Sequence, residues 1–237
     1  MPLERAEEAR AEWLERFPQG FEERTCGAEL ELAGYTEEPP PPGARMEDVE
    51  PGWEERWREF HRPVRVGRFW IGPPWEQPPV DALPIVIDPG RAFGTGAHAT
   101  TRLCIELVSE LAPTSLLDVG CGSGVIAIAA AALGFSPVVA LDVDPAAVDA
   151  TARNAAENKV AVDVRKLDLA AGALPSAELA VANISLERVE SVLSRVDARV
   201  VVASGYLERD EPRLGPYRRR ERRIRDGWAA DLFERAQ

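Results

Sequence analysis

The sequence predicts an α/β fold: a doubly wound, mostly parallel sheet ending in a C-terminal antiparallel hairpin, with a small α+β unit and a helical linker ahead of it. Three observations predict it. From Asp81 onward, short apolar runs rich in β-branched residues alternate with helical segments, the order that parallel, helix-covered strands require. The run SLLDV ends in a glycine loop, Gly120-Cys121-Gly122-Ser123-Gly124, that opens directly into the apolar helix VIAIAAAAL. Farther on, Asp226-Gly227 separates two strand-like runs, a hairpin signal because a two-residue turn of that kind needs positive φ at both positions.

Taken in order, Leu3, Ala6, Ala9, Trp13, Leu14 and Phe17 fall at helical spacing, and Pro18 and Gly20 stop that helix. GFEERTCGAELELAGY (20–35) alternates apolar and polar residues around Gly27, as a short hairpin does. Four consecutive prolines in TEEPPPPGAR (36–45) continue neither element and mark a boundary or a stiff linker. Trp53 and Trp57 then share a helical face, followed by a single strand over Val64 to Ile71; these aromatics read first as glue between a linker and the main domain. SLLDVG, PVVALDVD, VDVRKLDL, ELAVANI and ARVVVAS read as the parallel strands, with VIAIAAAALG and PAAVDATARNAAEN as helices between the earlier ones. The expected division is 1–45, 46–80 and 81–237.

At 237 residues, 45% apolar and 29% charged, the chain has material for one full domain and a smaller companion. The longest apolar run, VIAIAAAAL, is far shorter than the roughly 18 residues a membrane helix needs. A soluble, cytoplasmic, monomeric protein with no membrane partner is expected. Cys26, Cys104 and Cys121 are odd in number and, with His61 and His98, form no metal-ligand spacing, so neither a metal nor a disulfide is expected. A net charge of -12 argues against direct nucleic-acid binding, which draws affinity from positive surface, and suits a basic partner.

The glycine loop is the first candidate site. Gly120 and Gly122 let the backbone turn tightly and approach a ligand at the free amides of a helix N-terminus, with Cys121 between them. A dinucleotide fingerprint would want its third glycine where Val125 stands, so pyrophosphate binding is disfavoured. Twenty-two residues after Gly120, Asp142 ends the next strand, where a carboxylate can accept both hydroxyls of a ribose. Asp168, at the end of the third strand, is placed to receive an adenine amino group. The alternative for both acids is a helix-capping or turn role.

Several spaced motifs together resemble a known family. DVGCGSG (118–124) with the acidic strand end after it resembles the class I S-adenosylmethionine-dependent methyltransferases, whose fold is a Rossmann-like doubly wound sheet. Upstream, DPGRAFGTGAHATTR (88–102) resembles the PGxAFGTGxHxTT signature of the ribosomal protein L11 methyltransferase (PrmA) family. The WxxxW helix, the PVRVG strand and the Asn183-Ile184-Ser185-Leu186 motif at strand four agree with that family over roughly residues 50–206.

The resemblance implies S-adenosyl-L-methionine as cofactor, held between two backbone ribbons. The upstream loop would place Phe93, Gly94, Thr95, Gly96, Thr100 and Thr101 opposite Gly120, Gly122 and Cys121. Gly94 and Gly96 would let amides crowd a carboxylate, and Thr101 is the first choice for a side-chain contact. Asn183 would grip the target nitrogen and is the catalytic candidate; His98 reads as a structural hydrogen-bonder. The implied reaction is N-methylation of lysine side-chain and/or N-terminal amines of a ribosomal protein of the L11 type. In that family a separate N-terminal domain chooses the substrate; here a helix begins almost at residue 1, so that domain is expected to be truncated. Two other readings stay open: a small-molecule or RNA N-methyltransferase using RRRERRIR (218–225) as a phosphate patch, and a non-catalytic S-adenosylmethionine-binding module.

Overall fold

In a computed structural model the described residues are 22–26, 29–33, 62–88, 96–168 and 173–236. The chain divides into two compact units, Met1–Arg56 and Trp57–Gln237. In the first, β1 (Glu22–Cys26) and β2 (Glu29–Ala33) form the antiparallel hairpin that the alternation predicted, with Cys26 opposite Glu29. The helix expected at 3–17, the proline-rich linker and the Trp53–Trp57 helix lie outside the described residues.

The second unit begins with a small sheet. Val64 to Ile71 is two strands rather than the single one expected: β3 (Val64–Val66) turns at Gly67, whose φ is +54°, into antiparallel β4 (Phe69–Gly72). A lone glycine able to take positive φ was the signal for that turn. Strand β5 (Leu83–Val86) lies parallel to β4, completing three strands.

The main sheet has seven strands in the order β11-β12-β10-β9-β6-β7-β8. Its parallel part comprises β6 (Leu116–Val119), β7 (Val138–Asp142), β8 (Asp163–Lys166), β9 (Leu179–Asn183) and β10 (Val200–Leu207). Antiparallel β12 (Trp228–Arg235) and β11 (Tyr217–Arg225) follow, joined by Asp226 and Gly227 at φ 52° and 78°, as that dipeptide predicted. Among the described residues four helices pack on it: α1 (Ala99–Ser109), α2 (Val125–Ala132), α3 (Pro145–Glu157) and α4 (Leu186–Leu193). The sequence reading found α2 and α3 and missed α1 and α4.

Both faces of the central strands are buried, and alternate residues feed two cores. Leu116, Leu179, Val181, Val200 and Val202 join one cluster with α1, α2 and Phe69, Ile71 and Ile85 of the small sheet. Leu117, Val119, Ala180, Ala182, Val201 and Ala203 join the other, with Val189, Val192 and Leu193 of α4. Strand order reverses between β6 and β9, and at such a switch point the loops leaving the carboxyl ends part to leave a crevice.

Candidate functional site

The glycine loop holds its shape through its own amides. Gly120 and Cys121 donate to the Leu141 carbonyl at 2.8 and 3.0 Å, and Gly122 donates to Asp142 Oδ2 at 3.0 Å. Gly120 has φ +76°, and a Cβ there would come within 2.5 Å of the Ile184 side chain. Only glycine fits, because the loop tip is pressed against the end of β9.

Helix α2 begins at Gly124, which offers no side-chain cap. Buried Asp118 on β6 supplies the missing acceptor: its Oδ2 takes the Ala127 amide at 3.1 Å. Burial raises the Asp118 pKa to about 7, against the lowering effect of that amide and with the Asp142 charge adding to the rise. Cys121, also buried, receives the Thr151 hydroxyl, and burial pushes its thiol up to about 12, so it stays protonated.

Asp142 ends β7 with Oδ2 on Gly122 and Oδ1 on the Asp144 amide at 3.0 Å. Each oxygen has further lone pairs for a ligand hydroxyl. The turn role weighed for Asp142 is therefore present, and it ties the acid to the glycine loop. Asp168 is exposed, just past the end of β8, beside Leu167, whose amide bonds the Asp142 carbonyl at 2.9 Å.

Phe93, Gly94 and Thr95 lie outside the described residues. Gly96, at φ +86°, packs where a Cβ would come within 2.7 Å of the Ile71 side chain, so its bareness serves the contact with β4. Thr100 and Thr101, read from sequence as part of a loop, belong to the first turn of α1. His98 is the N-cap: Nδ1 accepts the Thr100 amide at 3.4 Å and lies 2.8 Å from the Thr100 hydroxyl, the structural role that was expected. Thr101 is buried, and its Oγ1 accepts a 3.1 Å hydrogen bond from Asn183 Nδ2. That bond leaves the Asn183 side-chain oxygen to accept from elsewhere. Behind Asn183, the Ile184 amide donates to the Ser204 carbonyl at 3.2 Å, and Gly205 (φ +101°) runs so close that a Cβ would come within 2.0 Å of the Ile184 carbonyl oxygen.

Sequence reasoning missed three residues that assemble this site. Asp118 is one. Asn154 of α3 accepts the Asp88 amide at 3.2 Å and donates to the Ser123 carbonyl at 2.8 Å, bridging the start of the upstream segment to the glycine loop. Asn158 accepts the Val86 amide at 2.8 Å and donates to the Val86 carbonyl at 2.6 Å, fixing the strand that leads there. An acid inside an apolar strand was the available signal for Asp118; for the asparagines there was none.

Five of the six arginines in the basic run on β11 are paired. Arg222 forms a bidentate pair with fully buried Asp231 at 2.8 and 2.9 Å, Arg223 pairs with Glu110 at 2.6 Å, Arg225 with Glu106 at 3.0 Å and Arg220 with Glu234 at 2.9 Å. Arg219 pairs with Glu211 at 2.5 Å. Among the described residues no group of side chains is arranged to hold a metal, and no helix is long and apolar enough to cross a membrane.

The chain is similar to known proteins. A ribosomal protein L11 methyltransferase of Symbiobacterium thermophilum is 45% identical over 163 residues, covering 67% of this chain and 54% of the relative. One from Heliobacterium modesticaldum is 39% identical over 203 residues, covering 79% of this chain and 64% of the relative. The chain thus spans between about half and two thirds of the length of these relatives. A crystal structure of a ribosomal protein L11 methylase from Lactobacillus delbrueckii subsp. bulgaricus superposes with a TM-score of 0.65 at 29% identity, covering 75% of this chain and all of the other. The fold is thus that of the class I, Rossmann-like methyltransferases. The family model described as ribosomal protein L11 methyltransferase (PrmA) matches residues 31–210, which include the glycine loop, Asp142, Thr101 and Asn183, and the chain belongs to that family.

Proposed function

We propose that the chain is an S-adenosylmethionine-dependent protein N-methyltransferase acting on lysine side-chain and/or N-terminal amines of ribosomal protein L11. The observation that carries this reading is the bond from Asn183 Nδ2 to Thr101 Oγ1. It engages one N–H of the amide and so holds the acceptor side in a set direction, which is what an incoming amine needs. A neutral amine must have its N–H bonds accepted while its lone pair is aimed in line with the bond that breaks. Asn183 sits at the carboxyl end of β9, beside the glycine loop, whose Gly120 meets Ile184.

The residues present fit the cofactor. Val125, buried in the core at the start of α2, stands where a dinucleotide fingerprint has its third glycine, while Asp142 retains lone pairs suited to a ribose diol. Gly120, Gly122 and Cys121 would form one wall and Thr101 with Gly96 the other, and Asp168 stands on the adenine side. When bound, S-adenosylmethionine supplies a sulfonium-activated methyl group. The chain's own task is then to orient and desolvate the amine. A lysine amine titrates near ~10.4 in water, and exclusion of water from the crevice favours its uncharged form. No strong base is required, and none is assigned.

The arginine pairs on β11 count against an RNA substrate, since each of Arg219, Arg220, Arg222, Arg223 and Arg225 already faces a carboxylate. The deciding experiment incubates the chain with methyl-labelled cofactor and ribosomal proteins, ribosomal RNA and small amines supplied separately. Label in the L11 fraction is the expected result; label only in RNA or small amines, or cofactor binding with no transfer, overturns the reading.

A further inference from the structure

Trp228 lies beyond the matched residues 31–210, at the start of β12, yet it reaches the site. Its ring meets His98 edge to face, with centroids 4.9 Å apart and planes at 70°. His98 is exposed, and its hydrogen bonds to Thr100 hold only the Nδ1 edge of the ring, so packing on the ring adds to its restraint. Trp228 supplies that packing from a held position, opposite Leu207 at the carboxyl edge of the sheet. The Arg225–Glu106 and Arg223–Glu110 pairs fasten the same hairpin along α1.

We propose that Trp228 is a positioning residue for methyl transfer: it fixes His98, the cap that sets the first turn of α1, and so directs the Asn183 amide through Thr101. The proposal rests on the amine-gripping role of Asn183 argued above. Each link is a described contact, from Trp228 to His98, from His98 to the Thr100 amide and hydroxyl, and from adjacent Thr101 to Asn183. The C-terminal hairpin then tunes a catalytic geometry through the cap of α1.

The test is a double-mutant cycle in the full chain. Trp228→Ala is expected to lower kcat roughly tenfold, because small misalignments at a reacting centre are strongly felt, while KM for the amine stays within about twofold. Trp228→Phe, which keeps a ring against His98, is expected to restore most of kcat. In a His98→Asn background, which keeps a capping acceptor but removes the ring, Trp228→Ala is expected to change nothing further. Additive losses, or parental kcat in Trp228→Ala, overturn the proposal. Should Trp228→Ala fail to fold, Trp228→Leu serves in the same cycle. A readout independent of turnover is the side-chain amide resonance of Asn183, expected to shift alike in Trp228→Ala and His98→Asn and to stay in place in Ile224→Ala, an exposed hairpin control. An unshifted resonance in Trp228→Ala overturns the positioning role. If the parent chain methylates no amine, the proposed activity fails, while the resonance still decides this inference.

Discussion

Asn183 and Thr101, 82 residues apart in sequence, meet through a 3.1 Å hydrogen bond that joins the end of β9 to the first turn of α1. Thr101→Val keeps the side-chain shape and removes the acceptor. We expect kcat to fall roughly tenfold to a hundredfold as the Asn183 amide loses its fixed direction. The melting curve should record a loss of about 1 to 3 kcal/mol from the orphaned amide. Unchanged kcat would separate Asn183 from the reaction.

Asp142 serves the Gly122 and Asp144 amides and, in the proposed function, a ribose diol. Asp142→Ala should weaken cofactor binding by about 1 to 3 kcal/mol in titration calorimetry, because the diol loses its acceptor and the glycine loop its anchor. Binding as tight as in the parent would place the ribose elsewhere.

Asp118 predicts a dependence of stability on pH. Its carboxyl is raised from a usual value of 3.8 to about 7, mainly by burial. The folded chain therefore holds a proton that the unfolded chain releases between about pH 4 and 7. Stability should fall as pH rises through that window and level off above it, by at most on the order of 4 kcal/mol. Asp118→Asn keeps an acceptor for Ala127 and should lose this part of the slope. Denaturant melts of both proteins at pH 5 and pH 8 make the comparison.

Arg222 and Asp231 form a pair in which the acid is fully buried, and Tyr206 donates to the same carboxylate at 2.9 Å. Arg222→Met strands that charge, with Arg219, 3.7 Å away, as the remaining cation. A loss of about 3 kcal/mol or more is expected in urea unfolding. A loss below about 1 kcal/mol would mean that Arg219 moves in to replace it.

Much of the fold was readable because its signals are local. Asp226-Gly227 announced its turn, since few residues accept positive φ at two successive positions. The apolar strands and the alanine-rich α2 declared themselves by length and composition. Helix α1 did not: it opens with two β-branched threonines and is capped by a histidine, so propensity pointed away from a helix that is held by packing. Val64 to Ile71 was read as one strand because a single glycine, Gly67, reverses it. Within the site, the acids and glycines at strand ends were visible from their spacing. Asp118, Asn154 and Asn158 were not, because their partners are 9, 31, 66 and 72 residues away and are supplied only by the tertiary fold.

The Asn154 carboxamide, with one hand on the Asp88 amide and the other on the Ser123 carbonyl, ties the start of the upstream segment to the glycine loop through α3. A disturbance that loosens α3, whether heat, denaturant or a bulky neighbour, is therefore expected to release both attachments together.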